Sequence, residues 1–131
     1  AAPGGKAANS AIANAIQSWM GVKYSLGGTS KAGVDCSAFV QAVYKAAGVD
    51  LPRTADAQYA ATDREVTPSY GDLVFFHGTY NTPDFISHVG IVVGPGQMVS
   101  ASGSNVHQES FKTQAWMSHL VGYGKVKKPS S

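Results

Sequence analysis

Only one cysteine occurs in the 131 residues, so no disulfide can form within the chain and cysteine pairing says nothing about redox compartment. A single thiol is compatible with secretion. Charge is also scarce: Asp, Glu, Lys and Arg make up 14% of the residues and the formal net charge is +2. That is too little to argue for a nucleic-acid partner. The lysines that do gather, Lys125, Lys127 and Lys128, read as a solvated tail rather than a binding patch. No apolar run approaches the roughly 20 residues that cross a bilayer, so membrane insertion is not expected, and no signal sequence opens the chain. The four histidines, His77, His88, His107 and His119, lack the short spacings of zinc and metalloprotease sites. Neither a metal nor another cofactor is expected.

What is present is a composition 44% hydrophobic in a length that suits one domain with a true core. Residues 1–7, opening Ala1-Ala2-Pro3-Gly4-Gly5, read as a linker or expression remnant, residues 8–126 as the folded domain, and residues 127–131 as a tail. The linker suggests a piece of a longer protein with other domains. Monomer is the default expectation.

The single cysteine falls at a telling place. From Cys36 onward Phe39, Val40, Val43, Tyr44 and Ala47 recur at helical spacing, Asp35 stands where an N-cap belongs and Gly48 where the helix should stop. The unpaired N–H groups of a helix start favour thiolate, which makes Cys36 a candidate nucleophile. Taken alone, it reads equally well as a buried core thiol. A second motif, His88-Val89-Gly90-Ile91-Val92-Val93-Gly94, puts a histidine at the head of a β-branched apolar run. Nucleophile and base are thus supplied by two segments far apart in sequence.

The remaining elements follow in order. Asn9 or Ser10 is the expected cap of a first helix with Ile12, Ile16, Trp19 and Met20 on one side, ending near Gly21. Val22 to Leu26 is extended, Gly27-Gly28 permits unusual backbone, Lys31 to Val34 is a loop, and Thr54 caps a short helix through about Ala61. Strands are predicted at Leu73 to Phe76, Ile86 to Val93, Gln97 to Ala101, Val106 to Ser110 and Leu120 to Val126, with a helical turn around Trp116 and Met117. Helices first and antiparallel strands after argue an α+β fold. If Gly103-Ser104 is a two-residue hairpin loop, Ser100 pairs with His107 and both look to the same face, toward His88.

Tyr24, Asp35-Cys36-Ser37, Gly71-Asp72-Leu73-Val74-Phe75-Phe76, His88-Val89-Gly90-Ile91 and Met98-Val99-Ser100-Ala101 together resemble the NlpC/P60 family, papain-like cysteine peptidases of bacterial cell walls. The resemblance covers roughly Ala8 to Val126. It implies N-terminal helices packed on a five- or six-stranded antiparallel sheet. It also implies hydrolysis of peptidoglycan stem peptides, most often between D-glutamate and the following diamino acid, in a secreted or cell-wall setting, extracellular or periplasmic. Carried over by position, Cys36 is the nucleophile, His88 the base, Tyr24 an oxyanion donor, and Asp35 and Ser37 contact the stem peptide.

Two positions depart from the family pattern. Ala38 stands where glycine is commonest. Ser100, twelve residues after His88, stands where the family carries the third residue of its triad, usually histidine. Serine is short and orients His88 only through a water or a backbone group, so His107 is the candidate for a relocated third role. Competing readings are a weakly active or non-catalytic wall-binding domain, and an amidase or acyltransferase of the same superfamily.

Overall fold

The computed structural model describes residues 6–127; residues 1–5 of the expected linker and 128–131 of the tail lie outside the described residues. Helix α1 (Lys6–Trp19) begins ahead of the expected cap at Asn9 or Ser10. Alanine is the strongest helix former, and no breaker intervenes between Lys6 and Ile12. Its buried side is Ile12, Ala15 and Ile16, whereas Met20, expected on that side, lies beyond the helix and is 37% exposed. Gly21 ends it at φ +82°, as the sequence suggests.

Helix α2 (Cys36–Ala46) is central to the fold. Asp35 caps it by accepting from the Ala38 N–H at 2.9 Å, and Gly48 leaves it at φ +84°. Phe39, Val40, Val43 and Tyr44 are fully buried, each worth about 1.5–3 kcal/mol of transfer free energy. The Tyr44 hydroxyl donates to the carbonyl of Gly71, tying α2 to the entry of the sheet. Helix α3 (Ala55–Ala61) is capped by Thr54, which accepts from the Ala57 N–H. The segment predicted to be a loop before Cys36 carries a small ladder, β1 (Thr29–Ser30) against β2 (Gly33–Val34).

The main sheet has six antiparallel strands: β3 (Asp63–Glu65), β4 (Leu73–Phe76), β5 (His88–Gly94), β6 (Gln97–Ser102), β7 (Asn105–Ser110) and β8 (Leu120–Lys125), in the order β3-β8-β4-β5-β6-β7. A four-residue helix α4 (Gln114–Met117) precedes β8. Strand β5 starts at His88 itself, not at Ile86. Strand β3 has no counterpart in the sequence reading: it is a charged triplet held by pairing with β8.

Alternation along the strands makes two layers. Leu73, Phe75, Val89, Ile91, Val99, Ala101 and Val106 face the helices and build the main core. Val74, Phe76, Val92 and Met98 face the other way, under Phe111, Trp116, Leu120 and Tyr123. The outer edge of β7 is covered by the extended segment after α1. There the Gly21 N–H reaches the Val106 carbonyl at 2.9 Å, the Val106 N–H the Val22 carbonyl at 2.9 Å, and the Tyr24 N–H the Ser104 carbonyl at 3.0 Å.

Candidate active site

Cys36 is the first residue of α2 and is half-buried against the main core. Burial pushes its thiol up to about 11 from an ordinary 9.0; the Val89 amide pulls the other way, the Asp35 carboxylate adds to the rise, and the Ser37 and Cys36 amides again oppose it. The helix start does supply donors to the sulfur. Desolvation outweighs them, which reverses the expectation of a resting thiolate.

His88 heads β5 and is 6% exposed. Burial holds its imidazole down to about 4 from an ordinary 6.5, with a smaller push from His107. Thiol and imidazole, each considered alone, are therefore neutral across the middle of the pH range. His88 has the parity of Val92, on the sheet face away from the helices, whereas Cys36 packs against the helix-side core. The two nevertheless line one cavity of about 930 Å³, together with Tyr24, Asp35, Ser37 and His107.

The β6–β7 hairpin has the expected register, Ser102 with Asn105, Ala101 with Val106 and Ser100 with His107. Ser100 is fully buried and is not part of the cavity wall. It sits over Gly90, where an added Cβ would come within 3.3 Å of the Ser100 Cβ. Neither the Ser100 Oγ nor the His88 Nε2 has a hydrogen-bond partner among the described residues. His107 turns its own nitrogens elsewhere, Nδ1 to the Asn105 carbonyl at 2.9 Å and Nε2 to Glu109 Oε2 at 2.7 Å.

Asp35 is both the cap of α2 and the hub of a polar wall. Its Oδ1 accepts from the Ala38 N–H at 2.9 Å, the Ser37 hydroxyl at 3.3 Å and Arg53 Nη1 at 3.1 Å; its Oδ2 accepts from Arg53 Nη2 at 2.9 Å and the Gly27 N–H at 3.1 Å. Burial would raise this carboxyl, but the Arg53 hydrogen bonds and the two amides hold it below the usual carboxylate range. Arg53 also donates to the Ser37 hydroxyl at 2.9 Å. Beneath them the buried Gln58 side chain donates to the carbonyls of Ser37 and Pro52 at 3.0 and 2.9 Å, joining α3 to the turn that carries Cys36.

Tyr24 is half-buried on the cavity wall, and burial, followed by the nearby Cys36 and Asp35, raises its phenol above the ordinary value. Its backbone runs beside Val34 of β2, close ahead of the cysteine. The glycine pair contributes at both positions: Gly27 has φ +78°, and a Cβ on Gly28 would lie 2.4 Å from the Gly33 carbonyl oxygen.

Three residues of the site went unnoticed in the sequence. Arg53, the lone cation next to the Thr54 cap, belongs to no motif of the sequence. Trp116 stacks on His88 with ring centroids 4.9 Å apart and planes 27° from parallel. Glu109 joins Trp116 to His107. Of these, Glu109 was accessible by parity, since it lies two residues beyond His107 on the same strand face. Among the described residues no group of three or more His, Cys, Asp or Glu side chains is arranged to hold a metal ion, and no helix is long and apolar enough to cross a membrane.

The model of the NlpC/P60 family matches residues 21–125. The chain is 44% identical over 112 residues to a probable endopeptidase p60 of Listeria monocytogenes, covering 84% of this chain and 22% of that protein. It is 43% identical over 110 residues to the bifunctional muramidase/DL-endopeptidase CwlT of Bacillus subtilis, covering 82% and 33%. The chain thus spans between about a fifth and a third of the length of these relatives. Among solved structures, a lipoprotein-like NLP/P60 protein of Staphylococcus aureus superposes with a TM-score of 0.87 at 33% identity, covering 92% of this chain and 42% of that one. With four-fifths of its length matched by the family model, and with its helix-borne cysteine lining one cavity with a strand-borne histidine, the chain belongs to the NlpC/P60 family.

Proposed function

We propose that this domain is a peptidoglycan hydrolase, a cysteine endopeptidase that cuts stem peptides between D-glutamate and the following diamino acid, in a secreted or wall-associated protein with further domains. The observation that carries the reading is the opening of Cys36 and His88 into one cavity with Tyr24 on its wall. The endopeptidase names of the Listeria and Bacillus relatives support the same class of reaction.

In this reading the neutral thiol gives its proton to His88 as the sulfur attacks the scissile carbonyl, forming a C–S bond. The buried, unpartnered Nε2 leaves Nδ1 as the nitrogen available on the cavity side. The developing oxyanion is met by the Tyr24 hydroxyl and by the free N–H at the start of α2. The imidazolium then protonates the leaving amine, and water, deprotonated by His88, hydrolyses the thioester. Asp35 and Ser37, held by Arg53, form the polar wall against which the stem peptide lies.

A second reading, a wall-binding domain with weak or no turnover, draws on His88 Nε2 having no hydrogen-bond partner among the described residues. An amidase or acyltransferase would use the same dyad. Digestion of purified peptidoglycan with mass spectrometry of the products, with Cys36→Ala as control, separates the three. The expected product is a stem cut after D-glutamate; release next to the sugar, acyl transfer to an added amine, or no product at all would overturn the proposal.

A further inference from the structure

Among the described residues nothing hydrogen-bonds Nε2 of His88, yet its ring is not left free. Trp116 lies on it in near-parallel contact, and Phe76 packs on both rings, 5.9 Å from His88 and 4.7 Å from Trp116 between centroids. Rotation of the imidazole about its last bond would have to displace the indole. The orientation of His88 therefore depends on what fixes Trp116.

Trp116 sits in α4, a four-residue helix too short to be stable by itself. Its tether is the indole N–H, which donates to Glu109 Oε1 at 3.0 Å. The other oxygen of Glu109 takes Nε2 of His107 at 2.7 Å, while His107 Nδ1 faces the Asn105 carbonyl at 2.9 Å. Both histidine nitrogens thus face acceptors, and only the doubly protonated ring donates to both. In that form Glu109 is pinned by a charge-assisted bond on one side and holds the indole on the other. The hairpin register puts His107 and Glu109 on the face of the sheet that carries His88 and Trp116.

We propose that Glu109 is a positioning residue: anchored by His107, it holds Trp116 against the imidazole of His88 and so orients the base by a stacked ring rather than by a hydrogen-bonded third residue. The inference rests on the endopeptidase reading for its effect on turnover, but not for its effect on the histidine. Ser100 drops out of the orienting role, and His107 enters it two contacts removed from the base. The same indole covers one face of His88 and keeps water from it. The titratable and charged groups sharing the cavity with the imidazole are Cys36 from α2, Asp35 and Arg53 beyond it, Tyr24 from the segment after α1, Tyr80 and Asp84 from the 77–87 loop, and His107 and Glu109 from β7.

The test compares Glu109→Ala, Glu109→Gln, Trp116→Phe and Trp116→Ala in two measurements. One is the His88 imidazole titration followed by NMR, which needs no turnover; the other is kcat and KM on a stem peptide. Glu109→Ala and Trp116→Ala should move the His88 titration up toward its ordinary 6.5. They should lower kcat about 10- to 100-fold, with KM within about threefold. Glu109→Gln, which still accepts from the indole, should recover part of the loss. Trp116→Phe keeps a stacked ring but no N–H, and should fall between. An unchanged His88 titration in folded Glu109→Ala or, if that variant fails to fold, in Trp116→Phe overturns the proposal, as does a loss confined to KM or to thermal stability. Absence of turnover in the wild type would sink the endopeptidase reading, while the NMR measurement still decides the positioning role.

Discussion

Arg53 grips Asp35 with both ends of its guanidinium, Nη1 to Oδ1 at 3.1 Å and Nη2 to Oδ2 at 2.9 Å, across 18 residues of chain. The pair fastens the residue before the α3 cap to the cap of α2. Arg53→Ala should cost about 1 kcal/mol, less than the upper range for charged hydrogen bonds, because the arginine side chain is 37% exposed and screened by solvent. The sign of the pH effect follows from Asp35. Its carboxyl is held low in the fold, so the stabilisation is present above the ordinary carboxylate range and is lost as pH falls through the folded value. Urea unfolding at pH 7 and pH 3 should find the variant less sensitive to acid than the wild type; equal acid sensitivity would contradict the assignment.

Before any substrate binds, Cys36 should behave as a buried thiol. Alkylation by iodoacetamide should be slow at pH 6 and climb as pH rises toward about 11. If the neutral imidazole is the base, turnover should persist on the acid side until His88 takes up a proton near about 4. Fast alkylation at pH 6 that disappears in His88→Ala would mean that a resting ion pair exists after all.

His88 also couples folding to pH. Its folded value of about 4 lies below the ordinary 6.5, so the unfolded chain binds the proton more readily in between. Stability is complete above 6.5 and falls as pH drops toward 4, by an amount on the order of 3 kcal/mol. Thermal melts of His88→Gln should lack this part of the acid loss. Parallel curves for wild type and variant would count against it.

Tyr24→Phe should lower kcat by up to roughly 100- to 1,000-fold if the hydroxyl meets the oxyanion. Phenylalanine keeps the ring that packs against the main core and removes only the hydroxyl on the cavity wall, so the variant should unfold at nearly the wild-type temperature. A kcat within about threefold of wild type would remove the role.

Much of the site was legible because it is encoded locally. The cap at Asp35, the spacing from Cys36 to Tyr44 and the stop at Gly48 all act within one helix. The pairing of Ser100 with His107 follows from a two-residue loop and the strict parity of strands. What stayed hidden depends on tertiary context. Arg53 meets Asp35 only because α3 folds back beside α2, and Trp116 meets His88 only because α4 is laid over the sheet. Strand β3, with the sequence Asp63-Arg64-Glu65, has neither period nor β-branched residues and exists because β8 offers it a ladder. The state of the thiol was left open for a related reason: the helix start is visible in sequence, but the depth of the surrounding protein is not.

The covering of β7 by residues 21–24 reaches beyond the placement of Tyr24. A bare outer strand is a template on which another chain can add, and sheets that end in one tend to polymerise. Here one side is occupied by the protein's own backbone at Gly21, Val22 and Tyr24. The other ends in β3, whose three charged side chains repel the growth of a further strand. Self-association by strand addition is thereby discouraged at both margins, and the backbone that seals one of them carries the candidate oxyanion donor.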